Sequence, residues 1–251
     1  MIIRTEQMET FQTAAVRNYE EDVVAHLKEF APARCEICGD TAVRRFVGLG
    51  IERAKTYGMT TRGPVRLYID LMLTLGADFD SDPQLPWATG VLNDPSLDDQ
   101  FSRAKSLYEA YQQYRSTVAG PDNKNLVAAL RRFRHWKPEE KVNGAYEEAI
   151  IARLQTTYPQ KAQYLGGVRL EQVVRMARAS AESFAIGSYP GVALLSGLMF
   201  GFGHGVISDP LYPWVASTLN DSSITDANER VTSLHEKTIS YLDRLLETLG
   251  S

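Results

Sequence analysis

Cysteine is scarce in this chain: Cys35 and Cys38 are the two it holds in 251 residues, which leaves no disulfide framework to stabilise it. Histidine is scarce too. His26, His135, His204 and His235 stand alone, none at ligand spacing to another. There is no HExxH, no phosphate-binding P-loop and no Ser-His-Asp order, so nothing in the residues declares a hydrolytic centre. A basic excess is also missing. Lys and Arg total 27 against 31 Asp and Glu, a net charge of -4 with a pI near 5.7, which argues against a broad nucleic-acid surface. The opening Met1-Ile2-Ile3-Arg4-Thr5-Glu6 has no apolar h-region, so no secretory signal is expected, and a cytoplasmic protein with reduced thiols is. Strand-like alternation is absent over any useful length.

What is present is a repeat. Ser81-Asp82-Pro83-Gln84-Leu85-Pro86-Trp87, running on to Leu92-Asn93-Asp94, recurs as Ser208-Asp209-Pro210-Leu211-Tyr212-Pro213-Trp214 and Leu219-Asn220-Asp221. The offset is 127, and sliding the chain by that amount aligns Tyr19-Glu20-Glu21 with Tyr146-Glu147-Glu148, Pro32 with Pro159, Gly39 with Gly166 and Gly76 with Gly203. Arg103, Leu107, Glu109 and Tyr114 likewise meet Arg230, Leu234, Glu236 and Tyr241. More than a quarter of the positions from Tyr19 to Tyr114 are identical to their counterparts, far above the roughly 6% that average composition gives by chance. The expected architecture is all-α: a tandem duplication of two five-helix units related by pseudo-two-fold symmetry, 1–118 and 139–251, joined by a linker at 119–138 that carries a short helix.

Each unit reads as helices. Met8, Phe11, Ala15, Tyr19, Val23 or Val24, Leu27 and Phe30 form one apolar stripe over 6–30, and Pro32 is expected to end it. A second helix is expected from Thr41 as N-cap to Tyr57, and a third over 64–75 that stops at Gly76. In the repeated motif Asp82 or Asp209 is expected to cap a short helix with Pro83 or Pro210 at its first position, with Trp87 or Trp214 facing inward. Pro86 and Pro213 lie within that helix, and Asn93-Asp94 or Asn220-Asp221 close it. A fifth helix is expected over 98–118. The second unit repeats these at about 139–157, 167–185, 190–202, 210–219 and 226–249, with Leu126–Trp136 as the linker helix.

Each tempting motif has a twin against which to test it. Cys35-Glu36-Ile37-Cys38 is a CxxC with no second pair, and its equivalents are Ala162 and Leu165. It reads as two small residues on a helix-to-helix turn rather than a zinc or redox site. Asp78-Phe79-Asp80-Ser81-Asp82 resembles the start of a calcium loop, but Pro83 and Thr89 stand where Gly and Glu belong. The run is expected to be an acidic helix N-terminus. Gly201-Phe202-Gly203-His204-Gly205 follows a helix rather than a strand, so it is not a dinucleotide fingerprint, and His204 reads as a turn residue. From Phe184 to Ile207 no residue is charged apart from His204. Because the twin stretch 57–80 carries several charges, this is read as a buried helix rather than a membrane span, or else as the place where a partner docks. No catalytic, cofactor or metal residues are assigned. Arg131, Arg132, Arg134 and Trp136 of the basic linker, with Phe200, Phe202 and His204, are the candidate partner-binding residues.

Met1-Ile2-Ile3-Arg4-Thr5-Glu6-Gln7-Met8-Glu9-Thr10-Phe11, Gly50-Ile51-Glu52-Arg53-Ala54-Lys55-Thr56-Tyr57-Gly58 and Leu85-Pro86-Trp87-Ala88 through Leu92-Asn93-Asp94-Pro95 resemble a family of bacterial proteins. Its members tend to be encoded beside type VI secretion spike-tip (PAAR) proteins and toxic effectors. The resemblance covers chiefly the first 115 residues; Arg178 to Phe184 does not keep the Ile-Glu-Arg-Ala-x-x-Tyr-Gly pattern. It implies an accessory role near effectors and supplies no catalytic residues. The leading expectation is a non-catalytic adaptor or chaperone that binds an effector or spike-tip protein, without nucleic acid, cofactor or stable membrane span. The alternatives are an immunity protein blocking a toxin, and an enzyme with a site between the units using Asp70, Asp78 or His204.

Overall fold

The computed structural model describes the backbone of residues 5–137 and 146–249, and the side chains of all of these but 5–13, 15, 33 and 249. Among them lie twelve α-helices and no strand. In chain order they are α1 (Thr5–Phe30), α2 (Pro32–Cys38), α3 (Asp40–Thr56), α4 (Arg62–Leu75), α5 (Pro86–Leu92) and α6 (Gln100–Val118). A 3-10 turn at Pro121–Asn123 leads into α7 (Lys124–Arg134). Then follow α8 (Tyr146–Thr157), α9 (Pro159–Ser183), α10 (Tyr189–Phe202), α11 (Pro213–Leu219) and α12 (Ala227–Leu249). The protein is all-α. Met8, Phe11 and Ala15 of the first apolar stripe, and residues 139–145 of the expected helix over 139–157, lie outside what is described.

Local chemistry accounts for most boundaries. Asp99 caps α6 by accepting from the backbone N–H of Phe101 and Ser102, at 2.8 and 3.0 Å. Asp226 does the same for the N–H of Glu229 at the head of α12. Gly76 and Gly203 end α4 and α10 at φ 108° and 101°, a region open to glycine and strained for any other residue. Gly39, at φ 82°, separates α2 from α3, and Gly166, at φ 71°, breaks α9 at the position 127 residues on.

α1 ends at Phe30, ahead of Pro32 as expected, and Pro32 then occupies the first turn of α2, where its missing N–H costs nothing. Two expectations are corrected. The next helix starts at Asp40 behind Gly39, not with Thr41 as its cap. The short helices begin at Pro86 and Pro213, so Asp82 and Asp209 lie upstream of them and cap nothing there. The carboxylates are engaged elsewhere, as shown below.

The core runs continuously through both halves. Its most apolar element is α10, in which Val192 through Phe200 are all buried against α9 and neighbouring helices. Gly197 makes room there: a Cβ on it would fall 2.6 Å from the Phe133 ring and 2.9 Å from that of Trp136. The linker helix α7 thus packs into the second half, laying Ala129, Leu130 and Phe133 inward. No helix among the described residues is long and apolar enough to cross a membrane.

Candidate functional site: the crossing of the two halves

The ends of α4 and α10 meet back to back. A Cβ on Gly76 would lie 2.5 Å from the carbonyl oxygen of Phe202, and one on Gly203 would lie 2.9 Å from that of Leu75. Glycine is required here for close approach as well as for φ. From this crossing the chain turns into the repeated Ser-Asp-Pro segment, and the two aspartates reach across. Asp82 Oδ2 accepts from the backbone N–H of His204 at 2.9 Å, while Asp209 Oδ2 accepts from the N–H of Ala77 at 2.8 Å. The other oxygen of each holds its own turn, Oδ1 of Asp82 from the N–H of Gln84 and Oδ1 of Asp209 from the N–H of Leu211, at 2.8 and 2.9 Å. Residues 77 and 204 are themselves 127 apart, so each half lends the other the same bond.

The basic partners also correspond in pairs, but each stays within its own half. Arg34 of α2 donates to the carbonyl of Leu73, and Lys161 of α9 donates to the carbonyl of Phe200, both at 2.5 Å. Arg103 spans the carbonyls of Tyr57 and Leu97, and Arg230 those of Phe184 and Ile224. These guanidinium and ammonium groups tie helix ends and turns that have no intrahelical partner of their own.

The electrostatics of the two aspartates differ. Burial drives both carboxyls upward. For Asp82 this is outweighed by the His204 ring, the charge of Lys161 and the backbone donors, so its pKa falls below the ordinary value. For Asp209 burial wins over the donors from Leu211 and Ala77, and with Asp78 adding to it the pKa is pushed up to about 6. Burial lowers the His204 ring, but Asp82 and Asp78 overcome it and the net shift is upward. His204 Nδ1 stands 3.4 Å from Asp82 Oδ2, too long for a well-formed hydrogen bond, so the attraction is that of an ion pair with the protonated ring. Lys161 is buried, and burial pulls its pKa down to about 8 in spite of Asp82.

The acidic run 78–82 is therefore no helix N-terminus, which corrects the expectation from sequence. Asp78 and Asp80 pair with Arg53, and Asp80 also accepts from the hydroxyls of Tyr57 at 3.0 Å and Tyr68 at 2.6 Å. Among the described residues no group of His, Cys, Asp and Glu is placed to hold a metal ion. The thiols of Cys35 and Cys38 are free, and Cys38 donates to the carbonyl of Leu211 in the other half at 3.1 Å. Burial pushes Cys38 up to about 12, which leaves it a poor nucleophile.

A cavity of about 70 Å³ opens beside Asp82 and Lys161, walled by α4, α6, α9, α10 and the linker. Its existence follows from two substitutions between the halves. Beside Asp209 the corresponding space is filled by Phe202 and Tyr212, whose rings pack on Tyr241 at 5.6 and 5.5 Å between centroids. Beside Asp82 the same positions are Leu75 and Leu85, both lining the cavity with Tyr114, the counterpart of Tyr241.

Of the candidate partner-binding residues, Phe200, Phe202 and Trp136 are core, and Trp136 Nε1 donates to Thr157 Oγ1 at 2.9 Å. His204 belongs to the crossing. Arg132 holds the carbonyl of Thr157, Arg134 pairs with Asp243, and Arg131 is exposed. In the repeated motif Trp87 and Trp214 are partly buried, and Asn93 and Asn220 bond back to the carbonyls of Thr89 and Ala216. Asp94 and Asp221 each close a turn on a serine, Ser96 and Ser223. Asp70 lies apart from the crossing, 3.0 Å from His26 Nε2, with Arg66 on the other ring nitrogen.

No family model matches the chain, and no curated protein or solved structure matches it.

Proposed function

We propose that this protein is a non-catalytic adaptor or chaperone, a duplicated scaffold of two units related by a pseudo-two-fold axis, that docks a protein partner on the outer face of α6. The observation that carries the reading is a difference between corresponding helices. In the second half α7 lies along α12: His235 Nε2 meets the carbonyl of Trp136 at 2.8 Å, and Arg134 pairs with Asp243. In the first half the counterpart of His235 is Tyr108, which stands 48% exposed, and Phe101, one heptad earlier on the same face, is 63% exposed. Two large aromatics at that spacing are the anchor type of a helix-in-groove or helix-on-helix contact. The occupant that fits is an amphipathic helix of the partner, laid on α6 as α7 lies on α12.

The partner class is that implied by the family resemblance, a type VI secretion effector or spike-tip protein. The test is reconstitution from pure components: the chain and the effector or spike-tip protein encoded beside it, measured by calorimetry. A 1:1 complex that Phe101→Ser with Tyr108→Ser weakens about 30-fold or more supports the proposal. A complex indifferent to both substitutions, or protection of toxin-expressing cells without any stable complex on α6, overturns it.

A further inference from the structure

The cavity beside Lys161 has donors in surplus. Asp82, its one carboxylate, is already engaged: Oδ1 accepts from Gln84, and Oδ2 accepts from the His204 N–H and from Gln84 Nε2 at 3.1 Å. Lys161 uses one of its three ammonium hydrogens on the carbonyl of Phe200. The other neighbours of Lys161 are the Phe200 ring, 5.2 Å from centroid to Nζ, and the charge of Asp82, so an anionic oxygen in the cavity would give this buried ammonium a further direct partner. The cavity is also lined by Arg115 and by the hydroxyl-bearing Tyr114. The apolar part of the wall is formed by Leu75, Leu85, Val118 and Leu126, with Thr74, Asn123, Tyr111 and Tyr158 adding polar groups.

Size narrows the class. A space of about 70 Å³ holds a few waters, so the buried part of a ligand is a handful of heavy atoms. The exposed residues Thr74 and Gly201 place the rim at the junction of α4 and α10.

We infer that this cavity is a binding site for a short-chain carboxylate, its carboxylate held between Lys161 and Arg115 and its short apolar body against Leu75 and Leu85. The second half supplies the control. There Phe202 and Tyr212 occupy the equivalent volume, so the chain already carries the residues that close such a site while keeping the aspartate turn intact. The site adjoins the proposed docking face, Arg115 lying one heptad beyond Tyr108 on α6, but uses neither Phe101 nor Tyr108.

The experiment is calorimetric titration of the full chain with acetate, propionate and butyrate, with benzoate as an oversized control and inorganic phosphate as an anion lacking an apolar body. Saturable 1:1 binding of propionate or butyrate at millimolar concentration is expected for a ligand of this size. Arg115→Met is expected to weaken it about tenfold or more, since a charge-assisted bond is lost. Leu75→Phe with Leu85→Tyr, which copies the second half, is expected to abolish it while circular dichroism and thermal unfolding show a folded protein. Should the paired variant not fold, Leu85→Phe alone and Arg115→Met decide the matter. Absence of saturable carboxylate binding overturns the inference. So does phosphate or benzoate binding as tightly as propionate, or affinity unchanged in Arg115→Met and in the filled variants.

Discussion

Replacing Asp209 by Asn should make stability respond to pH in the opposite sense from replacing Asp82 by Asn. Asp209 is 3% exposed, and its carboxyl is raised from an ordinary 3.8 to about 6. A group whose folded pKa is raised holds its proton in the folded state to higher pH than in the unfolded chain. Its contribution is therefore full below pH 3.8 and is lost as pH rises through 6. The size follows from the shift: the rise from 3.8 to about 6 corresponds to about 3 kcal/mol. Asp209→Asn has no such loss, so its deficit relative to wild type should shrink by about that much between pH 4 and 7. Asp82, lowered by His204 and Lys161 against the pull of burial, gives stability that is present above pH 3.8 and lost as pH falls. The deficit of Asp82→Asn should therefore stay nearly constant over the same interval and narrow only below pH 4. Urea unfolding of the three proteins at pH 3, 4, 5, 6 and 7 reads both trends. Parallel curves for the two variants would refute the assignment of opposite electrostatic environments to these corresponding turns.

Arg53→Met strips both Asp78 and Asp80 of their cation, and with Asp80 buried the expected cost is about 3–5 kcal/mol by chemical denaturation; a cost below 1 kcal/mol would show the pair to be dispensable. Gly76→Ala and Gly203→Ala each place a Cβ against backbone of the other half at a positive φ. Each should cost at least about 2 kcal/mol, whereas Gly48→Ala, in open space within α3, should be neutral or stabilising. Lys161 should titrate near pH 8, well below the other lysines, in an NMR titration of labelled lysine side chains; a midpoint above 10 contradicts its burial beside Asp82.

The all-α class and most helix positions are legible in the sequence because they follow from local signals: apolar spacing, and glycines such as Gly76 and Gly203 as stops. α2 is not, because proline reads equally as a stop for one helix and the first turn of the next. The function of the Ser-Asp-Pro motif is hidden for a different reason. Asp82 finds His204 122 positions away and Asp209 finds Ala77 132 positions away, so a local window offers only the capping reading. Lys161 is passed over because its counterpart is Arg34, a change that matching identities does not mark. The cavity is subtler still, since it arises from Leu75 and Leu85 being smaller than Phe202 and Tyr212. The recurrence at 127 brings those positions into register, but only packing shows that the difference leaves a space.

The reciprocal aspartate bonds also bear on how the chain acquires its shape. Neither turn is complete until more than 120 residues of intervening chain have closed on themselves, so these contacts belong to the slow, non-local stage of folding. The amide hydrogens of Ala77 and His204 then become reporters of the whole molecule. In native-state hydrogen exchange both should open only with global unfolding, at the same free energy, although they sit in different halves. Unequal protection would mean that one half melts while the other stands.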